Sequence, residues 1–83
     1  MDTVDIKLLF FGSLKMHYGN QLQMHIPKGL LLGELMELLK EKSPGASEIL
    51  TSCQVAVNSA IEHEDFAIDQ SYEIAVLPPF SGG

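Results

Sequence analysis

The residues of this sequence best suited to chemistry lie at its end, Leu77-Pro78-Pro79-Phe80-Ser81-Gly82-Gly83. Glycine has no Cβ, so a Gly82-Gly83 pair passes through a channel too narrow for side chains and accepts backbone angles that other residues refuse. What such a pair delivers is the terminal carboxylate of Gly83. A carboxylate is a poor electrophile until it is activated, for example by adenylation. A sulfur nucleophile can then displace AMP and leave a C-terminal thiocarboxylate. Consecutive prolines favour extended polyproline geometry, and Leu77, which precedes one, is pushed extended as well. The segment 78–83 is therefore expected to project from the domain and to reach roughly 20 Å. A Gly-Gly ending alone also fits a frayed terminus or a fusion scar. Following an apolar run directly through Pro-Pro, it is much less like a scar.

Other reactive residue types are sparse. Cys53 is the single cysteine; with no basic neighbour and no CxxC partner it reads as a structural thiol at a strand start. His17, His25 and His63 lack the close spacing of a metal site, and no metal is expected. Glu62-His63-Glu64-Asp65 reads as a solvated acidic loop. There is no glycine loop of the phosphate-cradling kind, and no Ser-His-Asp or paired-carboxylate set. A chain without a catalytic set is better read as the substrate-like carrier of another protein's chemistry than as a catalyst.

The elements that must position the tail follow from apolar periodicity. Residues 5–11 read as a strand with Ile6, Leu8 and Phe10 on one face and Lys7, Leu9 and Phe11 on the other. Residues 13–20 read as a connection, and 21–26 as a half-buried strand stopped by Pro27. Leu32, Leu35, Met36 and Leu39 form one stripe of a helix over 32–42, ended by Ser43-Pro44-Gly45. Leu31 stands where a Ser, Thr or Asp cap is normal. A helical turn over 46–50, a strand over 53–57, a turn at Asn58-Ser59 and a short return over 60–62 follow. Phe66 and Ile68 read as anchors of an irregular stretch. The last strand, 72–77, puts Ile74 and Val76 on one face and Ala75 and Leu77 on the other. One amphipathic helix and a mixed sheet predict a two-layer α+β domain, spanning 1–77, with 78–83 as its tail. If Ile6, Leu8, Phe10, Ile74 and Val76 meet the helix, then Leu9, Phe11, Ala75 and Leu77 form an outer apolar set beside the strand that leads to the tail. Such a set reads as a docking patch, unless loops cover it.

Composition narrows the classes. The chain has 83 residues, a net charge of −6, no arginine, and five lysines scattered singly at 7, 15, 28, 40 and 42. Nucleic-acid binding needs a clustered basic footprint, which is missing. A single cysteine rules out an internal disulfide and agrees with a reducing compartment. No apolar run reaches the length of a membrane span, and the start, Met1-Asp2-Thr3-Val4-Asp5, is acidic where a secretory signal is basic. A cytoplasmic location is expected, with no membrane partner.

Four stretches together resemble the MoaD family, the small sulfur-carrier subunit of molybdopterin synthase: Leu9-Phe10-Phe11-Gly12 followed by Lys15; Leu32-Gly33-Glu34-Leu35-Met36-Glu37-Leu38-Leu39; Ala56-Val57-Asn58; and Glu73 to Gly83, whose Pro-Pro-x-Ser-Gly-Gly ending is the most specific. The resemblance implies a ubiquitin-like β-grasp fold. It implies that Gly83 is adenylated by an ATP-dependent enzyme of the MoeB kind and then thiocarboxylated. Phe80, Ser81 and Gly82 would be inserted into a large subunit of the MoaE kind, and Leu9, Phe11, Lys15, Ala75 and Leu77 would contact it. A heterotetramer is implied, with no cofactor on this chain and ATP used by the activating enzyme. Two local features depart from the family. The turn before the last strand is Asp69-Gln70 where Asp-Gly is usual, and the main helix lacks a cap residue. Three alternatives remain open: a carrier for another pathway such as thiamine or tungsten-cofactor synthesis, a modifier forming isopeptide bonds with lysines, and an interaction module whose Gly-Gly is incidental.

Overall fold

The computed structural model describes residues 2–79. Strand β1 (Thr3–Phe10) is followed by a 3-10 turn (Gly12–Leu14) and a short helix α1 (Lys15–Tyr18). Strand β2 (Gln21–Pro27) returns antiparallel to β1, with Leu9 opposite Gln21 and Val4 opposite Ile26. After β3 (Leu30–Leu31) comes the main helix α2 (Leu32–Lys42), a 3-10 turn (Pro44–Ala46) and α3 (Ser47–Thr51). The chain closes with β4 (Gln54–Val57), β5 (Ala60–Glu62), β6 (Ala67–Ile68) and β7 (Glu73–Leu77).

The main sheet has the order β2-β1-β7-β4-β5. Its central pair, β1 and β7, is parallel, and its other pairs are antiparallel. One face carries Ile6, Leu8, Phe10, Ile74 and Val76, each no more than 2% exposed. Leu32, Leu35 and Leu39 of α2 complete the core from the other layer, with Val55, Val57 and Ile68. This is the expected α+β arrangement of one main helix held in a mixed sheet, and the helix stripe covers the expected sheet face. Burying side chains of this size is worth about 1.5–3 kcal/mol each, which a domain without a disulfide needs.

Two departures from the usual local chemistry have structural answers. The amide of Leu31 donates to Glu34 Oε1 at 2.9 Å, the half of a capping box that needs no polar residue at the cap. The next two amides, of Leu32 and Gly33, donate to the carbonyls of Phe66 and Glu64, each at 2.9 Å. The helix start is thus satisfied by the chain that returns from β5, so a cap side chain is dispensable. At Asp69-Gln70 neither residue has a positive φ. Tyr72 instead ties the turn, its amide donating to Gln70 O at 2.9 Å and its hydroxyl to Asp69 Oδ1 at 2.8 Å, so a glycine is not required there.

The 13–20 segment is more ordered than a simple connection. Tyr18 stacks on Phe10, centroids 4.7 Å apart, and its hydroxyl donates to Leu39 O at 2.6 Å. Phe66 and Ile68 do anchor their stretch, Ile68 fully buried and Phe66 against the core. In addition β6 pairs with β3 in a second, two-stranded sheet.

Candidate docking face and tail exit

Gly83, with Phe80, Ser81 and Gly82, lies outside the described residues; what the structure gives is the platform that ends at Pro79. Strand β7 runs at the centre of the sheet, so Pro78 and Pro79 follow from the middle of the sheet rather than from an edge. Pro78 is half-buried and Pro79 exposed. Gly12 turns the chain at φ +59 just after β1, and a Cβ built there stands 3.4 Å from Pro78 Cγ. The corner at Gly12 and the exit at Pro78 therefore touch. Both the positive φ and the close approach favour glycine at this position.

The outer face of the sheet is assembled by register. Leu9 of β1 lies beside Ala75 of β7, Ala75 beside Ala56 of β4, and Ala56 beside Ile61 of β5. Paired residues share a face, so these four make one apolar row across four strands. One step nearer the tail, Leu77 pairs with Gln54. Phe11, extended at φ −133 and ψ 158, continues the alternation of β1 and is 42% exposed. Leu9, Ala75 and Leu77 are half-buried. One step away from the tail the face turns polar, with Lys7 beside Gln23 and Glu73. The apolar part thus borders the exit, as an interface core with a polar rim does.

Of the expected contact residues, Leu9, Phe11, Ala75 and Leu77 are brought together on this face. Lys15 is not on the sheet; it stands exposed on the helical corner that follows Gly12. Sequence alternation alone does not assign to the face Ala56, 8% exposed, or Ile61, 48% exposed, nor does it mark Met16, 89% exposed on α1. Period-two alternation marks which side of a strand a residue takes, but not which strand lies next to it. Only the neighbouring of β4 with β7 puts Ala56 and Ile61 in the row.

The remaining reactive groups are dispersed. His17 Nδ1 and Ser43 Oγ are 2.8 Å apart, His25 pairs with Asp5 on the exposed face, and His63 sits after β5. No three His, Cys, Asp or Glu residues converge among the described residues. The Cys53 thiol donates to Ile49 O at 3.1 Å, and burial pushes its pKa up. A raised pKa keeps it a thiol, the unreactive form.

A family model described as the ThiS family matches residues 8–83. The chain belongs to the ThiS family. It is 32% identical over 83 residues to the molybdopterin synthase sulfur carrier subunit of Caenorhabditis briggsae, a match spanning 96% of this chain and 99% of that one. Among solved structures, the complex of subunits 1 and 2 of the molybdopterin-converting factor of Helicobacter pylori contains a chain 29% identical to this one. That match has a TM-score of 0.68 and covers 95% of this chain and 99% of that one. Small archaeal modifier protein 1 of Methanosarcina acetivorans matches with a TM-score of 0.78 at 20% identity, covering 100% of both chains. That last likeness concerns the fold, which is the ubiquitin-like β-grasp. No helix among the described residues is long and apolar enough to cross a membrane.

Proposed function

We infer that this ThiS-family chain is a sulfur carrier for molybdenum cofactor synthesis, non-catalytic by itself, with residues 1–77 as the carrier domain and 78–83 as the working tail. The observation that carries the reading is the 32% identity, over nearly the whole of both chains, to a protein named molybdopterin synthase sulfur carrier subunit. The Pro-Pro-Phe-Ser-Gly-Gly ending supplies the chemistry. In the first step the Gly83 carboxylate attacks the α-phosphorus of ATP on an activating enzyme, and pyrophosphate leaves. In the second, hydrosulfide attacks the acyl carbon, AMP leaves, the S–H proton is lost to solvent, and the C-terminal thiocarboxylate remains. The carrier binds no cofactor; ATP belongs to the activating enzyme, of the MoeB kind.

The delivery step needs a large subunit, of the MoaE kind, in a heterotetramer. The helicobacter complex of subunits 1 and 2 supports a partner of that sort. The apolar row Leu9, Ala75, Ala56 and Ile61, extended by Phe11 and Leu77, is the face we assign to it, with Lys15 at the corner beside the exit. Docking there aims the tail, because Leu77 is at once part of the face and the last residue of β7. Phe80, Ser81 and Gly82 then occupy the partner's channel. The expected compartment is the cytoplasm.

The test is intact-mass analysis after incubation with an activating enzyme, ATP and a sulfur donor. The expected product is heavier by the difference between sulfur and oxygen, and the shift disappears when Gly83 is deleted. An unmodified tail under conditions that modify a known carrier refutes the reading. Adducts on lysines in its place favour a protein modifier.

A further inference from the structure

Strand β2 closes one side of the main sheet and, among the described residues, pairs only with β1. The direction of its backbone groups follows from the bonds around it. The amide of Phe10 donates to Asn20 O at 3.0 Å, and the amide of Lys28 donates to Asp2 O at 3.0 Å, both between residues opposite each other in the β1–β2 register. The odd-numbered Lys7 instead donates to Tyr72 O on the other side of β1, at 3.1 Å. Backbone groups along a strand alternate in direction. Even-numbered residues of β2 therefore bond to β1, while the N–H and C=O groups of Gln21, Gln23 and His25 point off the sheet. This edge carries few of the devices that keep edges apart. It has no lysine and is seven residues long, and its only proline, Pro27, is at its end. The opposite edge, β5, has three residues, one of them Glu62.

We propose that β2 is a self-association edge, which pairs antiparallel with β2 of a second copy of this chain about a two-fold axis through Gln23. In that register Gln23 faces its own counterpart and Gln21 faces His25, so all three outward N–H and C=O pairs are satisfied. On the inner face the half-buried Leu22 of one copy meets the half-buried Met24 of the other. No charged residue opposes a like charge, although the chain as a whole carries −6. Self-complementarity of this kind is what an isologous contact requires, and it is why a second copy suits the edge better than an unrelated strand. The axis stands perpendicular to the sheet, so the two five-stranded sheets become continuous. Both apolar rows then lie on the same side, and the two tail exits point in opposite directions. The contact is small and belongs to the weak, transient class. The proposal is independent of the sulfur-carrier reading.

The test is sedimentation equilibrium of the full chain, with amide chemical shifts recorded over the same series up to about 1 mM, the range proper to weak contacts. Expected is a mass rising from 9.1 kDa toward its double, with shift changes concentrated at Gln21, Gln23 and His25. Gln23→Lys places two ammonium groups face to face across the axis and weakens the dimer about tenfold or more, since like charges directly opposed destabilise a pair. Gln23→Pro removes the central outward donor without touching the β1 ladder, and abolishes the dimer. Melting curves of both variants establish that the fold is kept. A mass fixed at the monomer value throughout overturns the proposal. So does a dimer indifferent to Gln23→Lys, or edge shifts that appear only when a foreign strand-forming peptide is added.

Discussion

Placing a carboxylate at Phe11 separates docking from folding. Phe11 keeps 42% of its surface in water. Its ring thus withdraws about 100 Å² from solvent, worth about 2.5 kcal/mol at about 25 cal/mol per Å², a ceiling because unfolded chains already bury some surface. Phe11→Asp should therefore cost the domain at most about 2.5 kcal/mol, or about 10–20 °C in melting temperature for a chain of this size, since the new carboxylate can stay hydrated. Leu35 is the contrast, at 0% exposed in the middle of the α2 stripe. Leu35→Asp loses about 2–5 kcal/mol of hydrocarbon packing and adds a charge with no partner in an apolar interior. Together these exceed the roughly 5 kcal/mol at the low end of domain stability, so that variant should not fold. Against the large subunit the order reverses in importance. Folded Phe11→Asp should lose at least about 30-fold in affinity, the loss expected at an interface anchor worth about 2 kcal/mol. Thermal melting is run beside a binding titration by calorimetry. Binding at full affinity by Phe11→Asp refutes the docking face, and melting as damaging as that of Leu35→Asp refutes the assignment of Phe11 to the outer face.

Further outcomes can be stated from the same geometry. In single-turnover sulfur transfer and in adenylate formation, Gly82→Val should fail where Ser81→Ala succeeds, because only valine adds a branched side chain where a channel must close on the backbone; normal processing of Gly82→Val sinks the narrow-channel argument. Gly33→Val should destabilise by about 1–3 kcal/mol, since a Cβ at Gly33 meets Glu64 Cβ at 3.0 Å and Glu64 O at 3.3 Å, and denaturant melts as stable as the native chain's would contradict it. Burial raises the pKa of the Cys53 thiol, and burial, then the charge of Cys53, raises that of the Tyr18 phenol. Both groups lose their protons more readily unfolded than folded, so their contribution is complete below the unfolded values and is lost as pH rises through the folded ones. Melting temperature should accordingly fall above about pH 9, and a Cys53→Ala, Tyr18→Phe double variant should flatten that fall; equal slopes would refute the assignment to these two groups.

Much of this was legible in the linear chain for a definite reason. Alternation along 5–11 and 72–77 separated Ile6, Leu8, Phe10, Ile74 and Val76 from Leu9, Phe11, Ala75 and Leu77, because side-chain direction in a strand is a local property. The helix over 32–42 was visible for the same reason, at its own period. What failed to show was the satisfaction of the helix start, which is held by residues distant in sequence. The start of α2 looked uncapped because two of its partners are the carbonyls of Glu64 and Phe66, some thirty residues on. The turn at Asp69-Gln70 is a local case: its tie is the Tyr72 side chain three residues on, a contact that residue type at the turn itself does not reveal.

The sequence by itself determined the two-faced strands, the amphipathic helix and the composition of the ending, since each depends on residues within a turn or a strand of one another. Tertiary structure alone decided the strand order. That order placed Ala56 and Ile61 in one row with Leu9 and Ala75, put β7 at the centre so that Pro78 follows beside an apolar face, set Gly12 against Pro78, and left β2 as the longer of two edges. The reason is that strand order is chosen by closing loops around a shared core, a balance over the whole chain that no short window of sequence contains.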